Sequence, residues 1–224
     1  MSAEDLVDVI DAPATPWTSV SPDESRLLIT HSTSNRHPEL YVQDNRPGAE
    51  ARQLTDTMSD TFKAIAWQDP AIVPVPSSHS EQPIYSKIYV PADHDPAQSY
   101  PAVVFVHGAG YLQNSDYGWP DYFREQMFHN LLTERGYHVL DMDYRASRGY
   151  GRDWRTAIYR QMGTPELEDL KDGVAWLVDH HNADPDRPAN RIRATLPAFA
   201  PGANSLLSCS LPSADFSSRF RACD

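Results

Sequence analysis

Between residues 84 and 181 the apolar positions change their period several times, and the changes spell out a succession of elements. "IYSKIYV" (84–90) alternates apolar and polar residues, the period of a half-buried strand. "AVVFVHG" (102–108) opens with a continuous apolar run, as in a strand covered on both faces. "YFREQMFHNLLTERG" sets Tyr122, Phe123, Met127, Leu131 and Leu132 on one helical face, predicted to be the buried one. Gly136 is placed to take the left-handed position just past the helix end. "YHVLDMDY" (137–144) is the next predicted strand. "GTPELEDLKDGVAWLVDHH" then reads as a helix with Thr164 at its N-cap and Pro165 at its first position. Leu167, Leu170, Val174, Leu177 and Val178 form its apolar face. His180 and His181 close it, where imidazole suits the negative end of the helix dipole. Strands alternating with helices of this length imply βαβ crossovers and a mostly parallel sheet, so this part is α/β.

The flanks follow other patterns. Residues 17–56 read as short strands ("RLLIT", "ELYVQD") between turn-forming clusters ("SPDES", "DNRPGAE"), a blade-like meander with no second copy along the chain. A Pro-rich connection, "QDPAIVPVPSSHSEQP", joins it to the α/β part. After Arg187 the composition shifts. The last 37 residues hold seven Ala, six Ser and four Pro but only two acids, against 29 in the first 187 residues, and neither period persists. Three segments result: 1–69, 70–187 and 188–224.

Charge and composition narrow the function. A net charge of −12, with no stripe of Lys and Arg interleaved with aromatics, argues against nucleic acid as a partner. No apolar run approaches membrane-spanning length, and "MSAEDLVDVID" lacks a basic leader ahead of an apolar stretch, so no membrane partner is expected and the chain as written is expected in the cytoplasm. Two cysteines, Cys209 and Cys223, support neither a disulfide framework nor a thiolate metal site. Nine histidines offer no H-E-x-x-H and no paired ligands on one predicted helix face, so no metal is expected.

Read together, "PSSHSEQPIYSKIYVP", "PAVVFVHGAGYLQN", "YFREQMFHNLL", "VLDMDYRASRGYGRDWRTAIYRQMG" and "DGVAWLVDHHNADPDR" resemble the prolyl oligopeptidase family of serine peptidases, on its dipeptidyl-peptidase IV-like side. The resemblance runs from about residue 70 to Arg187. It implies the N-terminal half of an α/β-hydrolase catalytic domain, with helices on both faces of the sheet. "SPDESRLLI" similarly resembles part of a blade of the β-propeller that precedes that domain. The implied activity is serine-type hydrolysis of peptide bonds through an acyl-enzyme, with a peptide as substrate and no cofactor. The resemblance leaves export of intact relatives open.

The resemblance also says what should follow Arg187: an apolar strand and a G-x-S-x-G elbow at about residues 190–200. The chain has "NRIRATLPAFAPGA" there, and Gly202 is its only later glycine. Ser147 has Gly149 two residues on, but Arg145 stands where the motif needs glycine. In this fold the acid and base follow the serine, so His180 and His181 are excluded by position. No catalytic Ser, Asp or His is therefore assigned. The turn "VHGAGY" corresponds to the oxyanion loop, with His107 at the position of the family's tyrosine donor and Gly108 and Tyr111 as the further candidates. Asp141, Asp143 and Arg145, at the next strand end, read as a solvated loop. Glu24 and Glu39 are nominated as holders of a substrate N-terminus by their acidity alone.

The expected function is thus an inactive relative of a serine peptidase. The alternative is a non-catalytic module that binds a peptide or associates with a full-length homologue. Hydrolysis from a tail nucleophile such as Ser205 or Ser208 is the third reading. A change of reading frame near codon 187 would account for the tail's composition, the missing elbow and the early stop together. If no later strand covers "AVVFVH", its open apolar edge makes the isolated chain prone to aggregate.

Overall fold

Six strands and three helices organise the larger part of the chain. The computed structural model describes residues 17–108 and 112–184, together with the backbone of 191–194 and 207–210. Strands β5 (Ala71–Val75), β6 (Ile84–Tyr89), β7 (Ala102–Val106), β8 (His138–Met142), β9 (Arg191–Ala194) and β10 (Leu207–Ser210) form one sheet in the order β10-β9-β7-β8-β6-β5. Only β7/β8 and β7/β9 pair in parallel, while β5/β6, β6/β8 and β9/β10 are antiparallel. The sheet is therefore mixed, not mostly parallel. Hairpin-like entry through β5 and β6 sets one side antiparallel, and the helical crossovers supply the parallel pairs.

Three helices belong with this sheet: Phe123–Glu134, Arg152–Thr156 and Pro165–His181. They are here α2, α3 and α4, α1 being a single turn described below. On one sheet face Ile88, Leu140 and Val104 lie side by side in register, with Met142 and Val106 beside them. These side chains are buried with Leu170 and Leu177 of α4. Each such side chain removed from water contributes on the order of 1.5–3 kcal/mol. At Gly173, α4 comes so close that an added Cβ would lie 2.5 Å from the Met142 sulfur and 3.2 Å from Leu140 Cδ2. Pro165 starts the helix as expected, but the Thr164 side chain makes no capping bond. Glu166 instead reaches back to accept from Gly163 N–H at 2.8 Å.

The other face carries a different row: Lys87, Asp141 and Phe105, adjacent in register and all buried. That row explains a reversal in α2. Its buried positions are Gln126, His129, Asn130 and Thr133, spaced i, i+3, i+4, i+7, and its exposed ones include Met127 (38%), Phe128 (43%) and Leu131 (42%). Of the expected apolar face, Met127 and Leu131 are thus exposed, while Tyr122, Phe123 and Leu132 are half-buried. A sheet face bearing a lysine and an aspartate is better matched by polar side chains than by leucines, and His129 sits edge-on to both Tyr89 and Phe105. The helix ends as its sequence indicates. Gly136 is left-handed, its N–H donates to Thr133 and the Tyr137 N–H donates to Leu132, the two bonds of a Schellman motif.

The apolar edge of β7 is not left open. β9 pairs with it through Phe105↔Arg193 and Val106↔Ala194, and β10 adds outside β9. At that end of the strand a later segment thus covers the edge, the condition on which the open edge depended; any extended segment can satisfy the backbone donors and acceptors there, whatever its side chains.

A second unit comprises the described chain up to Asp69 together with Asp116–Phe123. Strands β1 (Trp17–Val20), β2 (Arg26–Thr33), β3 (Arg36–Asp44) and β4 (Arg52–Gln53) form an antiparallel meander, followed by α1 (Asp60–Lys63). Leu27 and Ile29 are buried with Tyr41 packed against them. Trp119 joins this unit through its N–H to Ser32 Oγ at 3.1 Å and ring contacts with His37 and Phe62. No helix among the described residues is long and apolar enough to cross a membrane.

Gly173→Leu is expected to destabilise the chain by roughly 1–3 kcal/mol, because its side chain must displace Met142. A urea melt unchanged by this substitution would show that α4 does not bear on the sheet there.

Candidate active site at the carboxyl ends of β7 and β8

Val106 and Met142 are neighbours in the parallel pair β7/β8, so the residues that follow them, His107 and Asp143, emerge side by side at the carboxyl edge of the sheet. In open α/β sheets this is the edge where ligands and chemistry gather. Both side chains are 0% exposed, and His107 Nε2 lies 2.9 Å from Asp143 Oδ1.

Asp143 does more than face the histidine. The same Oδ1 accepts the Asn114 N–H at 2.8 Å. Oδ2 accepts the Ser115 N–H at 3.0 Å and the Tyr150 hydroxyl at 2.7 Å. One buried carboxylate thus ties the end of β7, the far end of the turn that leaves it and the loop after β8. The Tyr144 hydroxyl adds a bond to the His107 carbonyl at 2.6 Å. Where these loops meet, Gly149 is required: it has φ +94°, and an added Cβ would stand 2.6 Å from Gln113 Oε1. Ala146 has φ +141° while fully buried, a backbone conformation that costs a non-glycine residue energy.

His107 Nδ1 lies 2.8 Å from the Gly108 carbonyl, which can only accept, so Nδ1 carries a proton. Nε2, facing a carboxylate, carries the other in the charged form. Burial pushes this pKa down, but the hydrogen bond and charge of Asp143 and the Gly108 carbonyl outweigh it, and His107 titrates above its ordinary value. For Asp141 burial wins and raises the carboxyl to about 7. Asn114 Nδ2 donates to both its oxygens, at 3.1 and 3.2 Å. Neither aspartate lies in a solvated loop, contrary to the sequence reading. Tertiary packing closes the two turns over them. Arg145 also turns inward: its N–H and Nε donate to Asp169 at 2.6 and 2.8 Å and Nη2 to Glu168 at 2.7 Å, clamping the loop to the first turns of α4.

Ser147 completes a trio with the composition of a catalytic triad. Its Oγ is 3.0 Å from His107 Nε2 and 2.8 Å from the Tyr144 carbonyl, to which it donates. The geometry is not that of a triad. There the base offers one ring nitrogen to the serine and the other to the acid. Here acid and hydroxyl share Nε2, Nδ1 is spent on a carbonyl, and the serine's proton points at the main chain. Ser147 is also 0% exposed. The trio is a brace.

Of the candidates named from sequence, His107 and Gly108 are buried at the turn, and Tyr111 lies outside the described residues. Ser205 lies outside them as well, and Ser208 is described only as backbone in β10. Nothing in the local pattern around Asn114, Ser115, Tyr144 and Tyr150 marks them as parts of this site. In the meander, Glu39 is already engaged: the Thr55 hydroxyl and the N–H and hydroxyl of Thr57 donate to it and hold its carboxyl down at about 2. Glu24 sits in the β1/β2 turn with φ +58°.

Comparison with known proteins places this architecture. A model of the prolyl oligopeptidase family matches residues 123–190. The chain belongs to the prolyl oligopeptidase family. It is 33% identical over 162 residues to dipeptidyl aminopeptidase BIII of Pseudoxanthomonas mexicana, covering 70% of this chain and 22% of that protein. It is 26% identical over 146 residues to human dipeptidyl peptidase 8, covering 64% and 16%. The fold is shared with an acylaminoacyl peptidase of Pyrococcus horikoshii, with TM-score 0.61 at 22% identity over 83% of this chain and 27% of that one. Dipeptidyl peptidase 4 of Porphyromonas gingivalis also shares it, with TM-score 0.61 at 18% identity, covering 79% and 24%. The chain therefore spans less than a quarter of the length of these two curated relatives. Along it, β9 takes the place beside β7 where the family's nucleophile strand is expected, and "TLPAFA" follows where the elbow should be.

Asp143→Asn is expected to cost about 3–5 kcal/mol, since it leaves buried donors facing an amide. Ser147→Ala should cost only about 1 kcal/mol, the worth of a single neutral hydrogen bond. Equal losses for the two variants in urea denaturation would refute the carboxylate's central place.

Proposed function

We propose that this chain is a non-hydrolytic member of its peptidase family, keeping the braced loops on the oxyanion side of a serine-peptidase site without a serine placed to attack a peptide bond. The observation that carries this reading is the condition of Ser147. It is the serine hydrogen-bonded to His107, yet its proton is directed at the Tyr144 carbonyl and it is buried. Hydrolysis through an acyl-enzyme needs an activated hydroxyl, a base with a free nitrogen facing it and donors for the developing oxyanion.

In this reading only the last of these survives. His107, Gly108 and Tyr111 are the oxyanion-loop residues, with His107 as the support of the turn. Donation to a substrate carbonyl then falls to backbone N–H groups of the turn. Preorganised donors of this kind are worth roughly 3–4 kcal/mol of barrier when a nucleophile is present. Without one they can only bind.

A cleft in the meander unit favours a second reading, that of a peptide-binding module acting alone or with a full-length homologue. It measures about 520 Å3 and is lined by Tyr41, Trp67, Arg36, Lys63 and Glu39 among others, which offers apolar surface and both signs of charge to an extended chain.

A fluorophosphonate probe separates these readings. No labelling is expected, and stoichiometric labelling abolished by Ser→Ala at 147, 205 or 208 would overturn the first reading. Under the second, fluorescent peptides bind without being cleaved and Trp67→Ala weakens them at least several-fold.

A further inference from the structure

At the opposite end of the sheet from the braced turns, three histidines from three elements meet. His94 comes from the loop after β6, His138 opens β8, and His181 ends α4. Their ring centroids are 4.9 Å (His94–His138), 5.6 Å (His138–His181) and 6.3 Å (His94–His181) apart. Tyr100 stacks on His138 at 4.8 Å, and Trp176 lies 4.8 Å from His181. His138 is 0% exposed, and neither of its ring nitrogens has a hydrogen-bond partner. The buried Nδ1 of His94 has none either. Buried nitrogens without partners call for an explanation. A metal ion is one, but His138 meets His181 edge to face and is stacked by Tyr100, and no set of donors among the described residues is placed to hold one.

The cluster sits at a junction. Tyr100 N–H donates to the Asn182 carbonyl at 3.0 Å and Asp184 N–H to the Tyr100 carbonyl at 2.9 Å. Asn182 Nδ2 donates to the Pro96 carbonyl, and His138 N–H to that of Pro101. These bonds fasten the 91–101 loop to the start of β8 and to the end of α4, from which the chain runs on toward β9.

We propose that His94, His138 and His181 are a proton-operated latch, which holds this junction shut while the rings are neutral and opens it when they acquire charge. The groups around them favour that behaviour. None of the three rings makes an ion pair among the described residues. Asp95 feels the charge of His94, but its carboxylate is taken up by the Ala97 N–H and Gln98. His180, with Nδ1 toward the Trp176 carbonyl, adds a like charge near His181. A charge on His94 opposes protonation of both neighbours.

Burial, then the charges of His94 and His181, push His138 down to about 4 from 6.5. The sign follows from linkage. A histidine whose folded pKa is depressed lends stability that is complete above 6.5 and is lost as the pH falls toward 4.

Hydrogen–deuterium exchange of the whole chain, corrected for intrinsic rates, tests the latch. Between pH 7.5 and 5, protection of amides 92–100 and 178–184 should fall about 10- to 30-fold, the linkage expected of one such histidine. In His138→Phe, which keeps an aromatic ring against Tyr100, that fall should be lost. His94→Phe, at the less buried ring, should lessen it and guards against misfolding of the first variant. An unchanged acid response in both variants would overturn the proposal, as would a His138 ring titrating near 6.5 by NMR. Protection of the same amides by added Zn2+ at neutral pH would also overturn it, by assigning the nitrogens to a metal.

Discussion

A single buried carboxylate governs the carboxyl edge of the β7/β8 pair. Asp143 leaves β8 beside His107 leaving β7, and each of its oxygens accepts two hydrogen bonds: the His107 ring and Asn114 N–H on one, the Ser115 N–H and Tyr150 hydroxyl on the other. Burying a carboxylate costs several kcal/mol unless its lone pairs are met by good donors. Here they are met by groups from both loops, so the loops must close together to satisfy it. Gly149 against Gln113 and the inward turn of Arg145 onto Asp169 are consequences of that closure.

The same constraint shapes the trio of His107, Asp143 and Ser147. His107 lies within hydrogen-bond reach of both Asp143 and Ser147, yet the protons of the trio are committed to holding the turn. Composition at a site does not make a mechanism. Which nitrogen faces which oxygen, and whether solvent can reach them, decides it.

The two faces of the sheet are built on different terms. Under α4 the contact is apolar, and Gly173 lets the helix approach Met142. Under α2, Lys87 and Asp141 lie in one buried row, so the helix turns its polar stripe inward and leaves Met127, Phe128 and Leu131 partly in solvent. Desolvating a charge without a polar neighbour costs more than exposing a leucine. The polar demand of the sheet therefore orients the helix.

Much of this was legible in the chain itself. The strand runs at 84–90, 102–108 and 137–144, the helix beginning at Pro165, the left-handed Gly136 and the meander of 17–56 all follow from local periodicity and turn chemistry. So does the absence of any Gly-x-Ser-x-Gly. Period and propensity are properties of neighbouring residues, and they survive without a fold. What only the tertiary structure decided were relations between distant residues. They include the inward face of α2, the antiparallel half of the sheet, the pairing of β9 onto β7, the burial of Asp141 and Asp143, and the meeting of His94, His138 and His181. Each depends on what another segment brings to the same place. No local pattern states whether a helix will meet a leucine or a lysine.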